Sequence, residues 1–361
     1  MPWGGGGLSV LPMKPVIFGL SGLTLTDDEK RLFRDVEPAG YILFKRNIED
    51  RAQVRALTDS LRTLHGRDNV PILIDQEGGR VARMRPPVWP DFPAGGAFDV
   101  LYDIAPITAI EAARCNAEAI ALSLTEVGIN VDCLPVLDVR VPDTHSAIGD
   151  RALGSDPMRV AALGRAILDG LALGGVIGVV KHMPGQGRAT VDTHHDLPHV
   201  TASAAELEQD LAPFRALNNA AMGMTGHVVY DVWDNAHTAT MSRFVIDTVI
   251  RAQVGFDGLL MSDDLDMNAL QGDVASRALA CVQAGCDLAL NCWGRFDEMV
   301  AIANNLPEIT PAARARLDRA MALPPVPFDA DRLAHLLDKR DQLLALADTQ
   351  AKLTGGATGA A

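Results

Sequence analysis

Short apolar runs that alternate with longer helical patterns constrain the fold of this 361-residue chain more than any other feature of its sequence. We predict eight strands, at 16–20, 41–44, 71–74, 131–136, 176–180, 221–225, 258–261 and 287–291. Repeated strand-then-helix units require a parallel sheet with helices outside it, and eight units favour a closed (β/α)8 TIM barrel of the α/β class. A doubly wound open sheet is the alternative.

Signals at the predicted helix ends agree with this pattern. Thr26 and Glu29 have the spacing of a capping box, and Asp156 followed by Pro157 supplies an N-cap and an N1 proline for a later helix. No Pro/Ser-rich linker and no shift in composition divides the chain. We therefore predict a single barrel domain at 15–353, with a flexible N-terminal arm at 1–14 and a flexible tail at 354–361.

Charge and cysteine usage exclude several classes of partner. The chain has 32 Lys and Arg against 46 Asp and Glu, a formal net charge of −14, and 48% of its residues are hydrophobic. A nucleic acid or an anionic membrane surface needs a cationic footprint, so we expect neither as a partner. The five cysteines include no CxxC pair, which favours a reducing compartment. We expect a soluble, cytoplasmic, monomeric protein.

Ionisable residues follow four of the predicted strands. They are Asp75, Lys181 with His182, His227, and Asp263 with Asp264. In a parallel barrel the carboxyl ends of the strands share one face, and active sites lie there. One aspartate after a strand is often only a helix N-cap, but four such positions on one face predict an active site.

The segment 181–198 is the most informative loop. Pro184, Gly185 and Gly187 indicate a turn, after which the chain can fold over the barrel mouth as a mobile lid. Asp192 and His194 are two residues apart, so in an extended segment they lie on the same side and can pair. A neighbouring aspartate fixes the imidazole tautomer and favours its charged form, which suits a proton donor and acceptor near neutral pH.

Metal binding is the main alternative for these histidines and aspartates, because metal-dependent hydrolases also place such ligands at strand ends. The sequence has no HExxH motif and no HxH pair after its first predicted strand. We therefore predict no metal site and no other cofactor.

Six sequence blocks, in order, resemble those of the glycoside hydrolase family 3 β-N-acetylglucosaminidases, single-domain bacterial enzymes of peptidoglycan recycling. The blocks are GYILFKRN (40–47), ILIDQEGGRVARM (72–84), GINVDCLPVLDV (128–139), GDRALGSDP (149–157), KHMPGQGRATVDTHHDLP (181–198) and GFDGLLMSDDLDM (255–267). The chain departs from the family's usual residues at three positions. Gln186 replaces a histidine, Thr193 replaces a serine, and Met183 replaces a phenylalanine.

The resemblance implies a role for particular residues. Asp263 matches the catalytic nucleophile, and His194 matches the acid/base residue with Asp192 as its partner. The family's contacts to the non-reducing N-acetylglucosamine match Asp75, Arg83, Arg151, Lys181 and His182. From their positions at strand ends, Asp138 and His227 are expected to brace the site. Arg80 is as consistent with a structural role as with a functional one.

The implied activity is that of a retaining exo-β-N-acetylglucosaminidase. Its implied substrate is a small carbohydrate, a muropeptide in which N-acetylglucosamine is linked to 1,6-anhydro-N-acetylmuramic acid. Two alternatives stay open at this stage. A histidine acid/base repels an anion less than a carboxylate would, so phosphate could replace water and make the enzyme a phosphorylase. A non-catalytic sugar-binding protein would keep the binding residues and need no nucleophile.

Overall fold

A computed structural model describes residues 13–193 and 196–355, with side chains described as far as residue 347. Its strands, in chain order, are β1 Lys14–Gly19, β2 Pro38–Leu43, β3 Ile72–Ile74, β4 Val131–Asp132, β5 Ile177–Met183, β6 His199–Val200, β7 Met222–Thr225, β8 Val229–Tyr230, β9 Asp234–Thr238, β10 Leu259–Asp264 and β11 Leu288–Asn291. Within the described ranges eight parallel strands close into a barrel, in the order β1, β2, β3, β4, β5, β7, β10, β11 and back to β1. The predicted (β/α)8 barrel is confirmed, and the open sheet is excluded.

Helices surround the barrel. They are α1 Asp27–Val36, α2 Arg51–His65, α3 Gly95–Ile104, α4 Pro106–Glu126, α5 Pro157–Leu173, α6 Ala204–Ala216, α7 Val274–Ala284, α8 Phe296–Asn305, α9 Pro311–Ala320 and α10 Ala330–Gly355. A π-helix, Val245–Gln253, precedes β10. Helix α4 packs against both α5 and α10. Strands β6, β8 and β9 form a small separate sheet that the sequence pattern does not predict.

Two predicted helix starts are confirmed in atomic detail. The Thr26 hydroxyl accepts a hydrogen bond from the Glu29 N–H at 3.1 Å, and the Glu29 carboxylate accepts one from the Thr26 N–H at 2.8 Å. The Asp156 carboxylate accepts a hydrogen bond from the Arg159 N–H at 2.8 Å, with Pro157 at the first helical position. Each cap satisfies an N–H that the helix itself leaves unpaired.

Four predicted strands differ from the observed bounds by three residues or more. Strand β2 begins earlier than predicted, at Pro38, and β10 continues to Asp264. The other two are β4 and β5.

The continuous ladder predicted at 131–136 ends at Asp132. Beyond it Pro135 has no N–H to donate, and the chain stays beside β5 through an isolated bridge between Val136 and Lys181 and a few single backbone hydrogen bonds. Strand β5 instead continues past its predicted end at residue 180 to Met183. Lys181 and His182 are therefore held by the strand itself rather than by the loop that follows it.

Side chains inside the barrel follow the two-residue period of the strands. Ile17, Ile42, Leu73 and Val179 belong to one interior cluster, which residues from the end of α9 close at the amino-terminal end of the barrel. Their immediate neighbours in sequence pack outward against the helices. The same period, continued toward the carboxyl end, aims the side chains two residues beyond Leu73, Val179 and Met261 into the barrel. Those side chains are Asp75, Lys181 and Asp263.

The predicted arm at 1–14 and the predicted tail at 354–361 lie almost wholly outside the described residues, so their flexibility stays a prediction. In the part of the chain that the structure describes, no helix combines the length and the apolar character that crossing a membrane would require.

Candidate active site

A cavity of about 340 Å³ opens among the carboxyl ends of the barrel strands. Seven of the eight predicted site residues line it: Asp75, Arg83, Arg151, Lys181, His182, Asp192 and Asp263. The eighth, His194, lies outside the described residues, so its predicted pairing with Asp192 is not tested. A smaller space of about 90 Å³ shares Asp75, Arg83 and Asp263 and continues toward Phe44 and Cys292.

A chain of ion pairs with alternating charge forms one wall of the cavity. The Lys181 ammonium lies 3.1 Å from Asp75 Oδ1 and 2.6 Å from Glu77 Oε1. Arg83 Nη2 lies 3.0 Å from Asp75 Oδ2, and Arg151 donates two hydrogen bonds of 2.8 Å to the Glu77 carboxylate. We call these five residues the charged cluster.

Mutual attraction keeps the charged cluster ionised. Burial alone would raise the pKa of Asp75 and of Glu77, but Lys181 and the two arginines more than offset it and lower both pKa values. Burial alone would lower the pKa of Lys181, but Glu77 and Asp75 raise it above its ordinary value. The cluster therefore presents fixed donors and acceptors, an arrangement suited to recognising a pattern of sugar hydroxyls.

Sequence reasoning missed Glu77, the most central carboxylate of the cluster. Its side chain is only 4% exposed and contacts both Lys181 and Arg151. The signal was its position two residues after Asp75, the spacing that keeps a side chain on one face of an extended segment. The pairing with Arg151, 74 positions along the chain, depends on tertiary structure.

Beneath the cluster lies a buried carboxyl group, that of Asp132. Its Oδ1 accepts a hydrogen bond from the Gln76 N–H at 2.9 Å, which holds the backbone between Asp75 and Glu77. Burial raises the pKa of Asp132 to about 8, so this group is mostly neutral at pH 7.

Asp138 braces His182, as the sequence predicts. Its Oδ2 lies 2.7 Å from His182 Nδ1, and its Oδ1 accepts hydrogen bonds from the backbone N–H groups of His182 and Gln186 at 3.2 and 2.6 Å. Burial alone would raise the pKa of Asp138, but His182 lowers it below its ordinary value. The contact fixes the orientation of the imidazole ring in the cavity wall.

His227 supports the strand end that carries the predicted nucleophile. Its Nε2 lies 2.9 Å from the Asp264 carbonyl oxygen and its Nδ1 lies 2.8 Å from Thr240 Oγ1. A carbonyl only accepts, so Nε2 carries the proton and Nδ1 accepts from the hydroxyl. Burial lowers the pKa of His227, which favours this neutral form.

Asp263 and Asp264 are adjacent carboxylates with different environments. Asp263 lines the main cavity, and its Oδ1 accepts a hydrogen bond from the Asp264 N–H at 2.8 Å. Asp264 Oδ1 instead accepts from the backbone N–H groups of Asp266 and Cys292, each at 3.2 Å. Burial, followed by the charge of Asp266, raises the pKa of Asp264 to about 7. Asp263 can therefore react with a ligand, whereas Asp264 holds the backbone.

The predicted lid is hydrogen-bonded at both described ends to the loops that follow β4 and β10. The Thr144 hydroxyl donates to the Gly187 carbonyl at 2.6 Å, and the Ala269 N–H donates to the Thr193 carbonyl at 3.2 Å. A Cβ at residue 187 would lie 1.8 Å from the Val139 carbonyl oxygen, so only glycine fits this close approach. Asp192 lies between these two hydrogen-bonded residues in sequence and lines the cavity. The mobility of the lid stays a prediction.

Over residues 13–193 and 196–355, no three or more His, Cys, Asp or Glu side chains are grouped so that they could hold a metal ion. Two carboxylates of the cavity wall, those of Asp75 and Glu77, are paired with lysine and arginine instead.

Known proteins resemble this chain over most of its length. The family model for the glycosyl hydrolase family 3 N-terminal domain matches residues 13–322. A β-hexosaminidase of Bordetella avium is 37% identical over 87% of this chain and 89% of its own length, and one of Aromatoleum aromaticum is 35% identical over 88% and 89%. The crystal structure of NagZ from Neisseria gonorrhoeae with N-trifluoroacetyl-D-glucosamine aligns with a TM-score of 0.83 at 30% identity, covering 93% of this chain and 99% of that one.

Proposed function

Since this chain belongs to glycosyl hydrolase family 3 and is a glycoside hydrolase of the β-N-acetylhexosaminidase class, we propose that it releases terminal N-acetylglucosamine from muropeptides with retention of configuration. Asp263 is the nucleophile in this proposal, and His194 with Asp192 is the acid/base pair. The observation that carries it is the carboxylate of Asp263, which projects into the same cavity as the charged cluster.

The first step of the proposed reaction forms a covalent intermediate. A carboxylate oxygen of Asp263 attacks the anomeric carbon while the glycosidic bond breaks, and a proton passes from the His194 imidazolium to the leaving oxygen. The result is a glycosyl ester on Asp263 and a neutral imidazole. A fixed carboxylate below the anomeric carbon also stabilises the positive charge that develops on the sugar.

The second step returns the enzyme to its starting state. The neutral His194 imidazole takes a proton from water, and the hydroxide oxygen attacks the anomeric carbon as the ester bond breaks. Asp192 stabilises the imidazolium and fixes its tautomer, as a carboxylate does for a catalytic histidine elsewhere. The position of Asp192 in the cavity wall supports this role, and that of His194 rests on its sequence motif.

Binding of one terminal sugar follows from the charged cluster. Asp75 accepts hydrogen bonds from neighbouring hydroxyls, while Arg83, Lys181 and Arg151 donate to sugar oxygens. The cavity of about 340 Å³ is near the lower end of ligand-pocket sizes, which suits one enclosed sugar and therefore exo action. The ligand of the gonococcal NagZ structure, an N-acylated glucosamine, supports a 2-acylamino sugar here.

The muropeptide substrate rests on the family resemblance. We expect the chain to cleave N-acetylglucosamine from 1,6-anhydro-N-acetylmuramyl peptides. Chromatography of the reaction would show free N-acetylglucosamine and the anhydromuramyl peptide as products. Turnover of aryl β-N-acetylglucosaminides without release of sugar from the muropeptide would remove this substrate from the proposal. Sugar 1-phosphate formed in phosphate buffer would identify phosphate as the acceptor instead of water.

Replacement of the nucleophile tests the mechanism. We expect Asp263→Asn to lower kcat/KM on an aryl β-N-acetylglucosaminide by about four orders of magnitude, or about 5 kcal/mol of transition-state stabilisation. The matched control is Asp264→Asn, in which the amide oxygen can still accept from the Cys292 N–H, so we expect a loss below about tenfold. Equal losses in the two variants would contradict the assignment of Asp263.

A further inference from the structure

A buried ion pair joins the start of the lid to helix α6. Arg188 Nε donates a hydrogen bond to Asp210 Oδ2 at 2.7 Å, and Arg188 Nη2 donates to the Glu206 carbonyl oxygen at 3.2 Å. The Arg188 side chain is 18% exposed and that of Asp210 only 2%. Residues four positions apart share one face of a helix, so the guanidinium holds the lid to α6 at two points on the same face.

The lid backbone on either side of this arginine is also closely packed. A Cβ at Gly185 would lie 3.0 Å from the Cβ of Asp210, so the turn before the lid lies directly against α6. The Ala189 carbonyl accepts a hydrogen bond from the His145 N–H at 3.1 Å. Asp192 follows three residues after Ala189 and lines the cavity. A shift at the start of the lid would therefore be transmitted to Asp192 over a short stretch of chain.

The ion pair does not stabilise the folded protein at neutral pH. Asp210 Oδ1 is buried and has no hydrogen-bond partner within the described part of the chain. Burial raises the pKa of Asp210 to about 6, although Arg188 lowers it. An acid whose pKa is raised by folding loses stabilising effect as pH rises through that value, so at pH 7 the ionised Asp210 lowers the free energy of unfolding. A buried pair with this effect calls for a role other than stability.

We propose that Arg188 and Asp210 are positioning residues for the proton-transfer steps, because their ion pair fixes the start of the lid against α6 and so places Asp192 in the cavity wall. The inference rests on the proposed function. Neither Arg188 nor Asp210 lines the cavity, so the pair acts on a substrate only through the lid. Asp263 is held by β10 instead. Loss of the pair should therefore impair proton donation more than nucleophilic attack.

Leaving groups of different acidity separate these two effects. Phenolate needs a proton in order to leave, whereas 2,4-dinitrophenolate leaves without one, and kcat/KM reports the step in which that proton is donated. We expect Arg188→Met and Asp210→Asn each to lower kcat/KM about tenfold to a hundredfold on phenyl β-N-acetylglucosaminide, the scale of a displacement of about 1 Å. The loss on the 2,4-dinitrophenyl substrate should be less than about threefold. Equal losses on the two substrates would overturn the inference.

The double variant tests whether the two residues act together. Once one partner is gone the other has no further effect on the lid, so we expect Arg188→Met/Asp210→Asn to lose about as much as the larger single loss. Losses that multiply on the phenyl substrate would show that the two residues act independently, and would overturn the assignment to the pair.

Arg251→Met is the matched control for burial of an ion pair. Arg251 Nη2 lies 2.8 Å from Asp287 Oδ2, and the two side chains are 17% and 5% exposed. Asp287 precedes β11, at the amino end of the barrel. We expect this variant to lower the Tm and to leave the ratio of the two kcat/KM values unchanged. Asp210→Asn should keep or exceed the wild-type Tm at pH 7, because it removes a buried charge. A lower Tm of Asp210→Asn with an unchanged ratio would show a merely structural role.

Asp192→Asn distinguishes failure of this inference from failure of the proposed function. We expect it to show the same dependence on the leaving group as the Arg188 and Asp210 variants, with a larger loss on the phenyl substrate. That dependence in Asp192→Asn alone would overturn only the role of the ion pair. Losses in Asp192→Asn that do not depend on the leaving group would overturn the acid/base assignment in the proposed function.

Discussion

The two ends of the barrel interior are built from the same strands by opposite means. Toward the amino end, Ile42, Leu73 and Val179 pack against one another without charge. Two residues beyond Leu73 and Val179, the Lys181 ammonium is buried and the Asp75 carboxylate is partly buried, and the two form an ion pair. Apolar packing gains stability from each side chain separately, whereas buried ions are stabilised only as a complete set. The carboxyl end of the barrel should therefore tolerate substitutions less well than the amino end, but it presents a fixed pattern of hydrogen-bond donors and acceptors.

The largest effect should come from removing the charge of Lys181, the central cation of the charged cluster. We expect Lys181→Met to cost about 3–5 kcal/mol of unfolding free energy, because Asp75 and Glu77 lose their shared partner. Loss of one positioned donor should also lower kcat/KM by about a thousandfold. Urea unfolding and turnover of an aryl β-N-acetylglucosaminide measure the two effects.

Arg80→Met is the matched stability control for that experiment. The Arg80 and Asp150 side chains are about half exposed, so their ion pair should contribute less than about 1 kcal/mol. A loss of stability in Lys181→Met no larger than in Arg80→Met would contradict the view that the charged cluster acts as a unit.

A cavity created in the apolar end of the barrel should lower the free energy of unfolding but leave kcat nearly unchanged. Leu73 is fully buried two residues before Asp75, so we expect Leu73→Ala to cost about 2–5 kcal/mol of unfolding free energy. Below the unfolding temperature kcat should change less than about threefold, because the cavity lies under the charged cluster and adds no charge. Denaturant unfolding and kcat measured on the same preparation provide the test. A parallel collapse of kcat would show that the two ends are not independent.

Asp132 lies at the boundary between the two regions, and its replacement should leave stability nearly unchanged at acidic pH and change only the dependence of stability on pH. Its pKa rises from 3.8 to about 8 on burial, so the folded state binds more protons than the unfolded state between these values. The contribution of Asp132 to stability should then fall as pH rises from about 4 to about 8, by at most about 1.4 kcal/mol per pH unit. Asp132→Asn keeps an acceptor for the Gln76 N–H but cannot titrate.

We expect Asp132→Asn to match wild type near pH 5 and to exceed it in stability at pH 8 and above. The difference between the two unfolding curves isolates Asp132, because Asp264 and the other carboxyls with raised pKa values titrate in both proteins. A difference that does not depend on pH would show that Asp132 is ionised in the folded protein at neutral pH.

The sequence predicted the parts of the molecule that depend on strand period and strand order. Asp75, Lys181 and Asp263 could be placed because each comes directly after an apolar run in the sequence, and the closed barrel brings the carboxyl ends of the strands together. Glu77 could not, since its role depends on contacts with Arg151 and Lys181 that only the fold brings together. Pro135 indicates that β4 ends early, although the predicted strand extends to residue 136.

The most direct test of the central claim is to trap the covalent intermediate. A 5-fluoro-β-N-acetylglucosaminyl fluoride reacts with a retaining enzyme faster than the resulting ester is hydrolysed. Mass spectrometry of the digested protein should then find one fluorosugar on the peptide that contains Asp263, and none in Asp263→Asn. An unmodified Asp263 peptide from protein that turns over the reagent, or an adduct on another residue, would contradict the account.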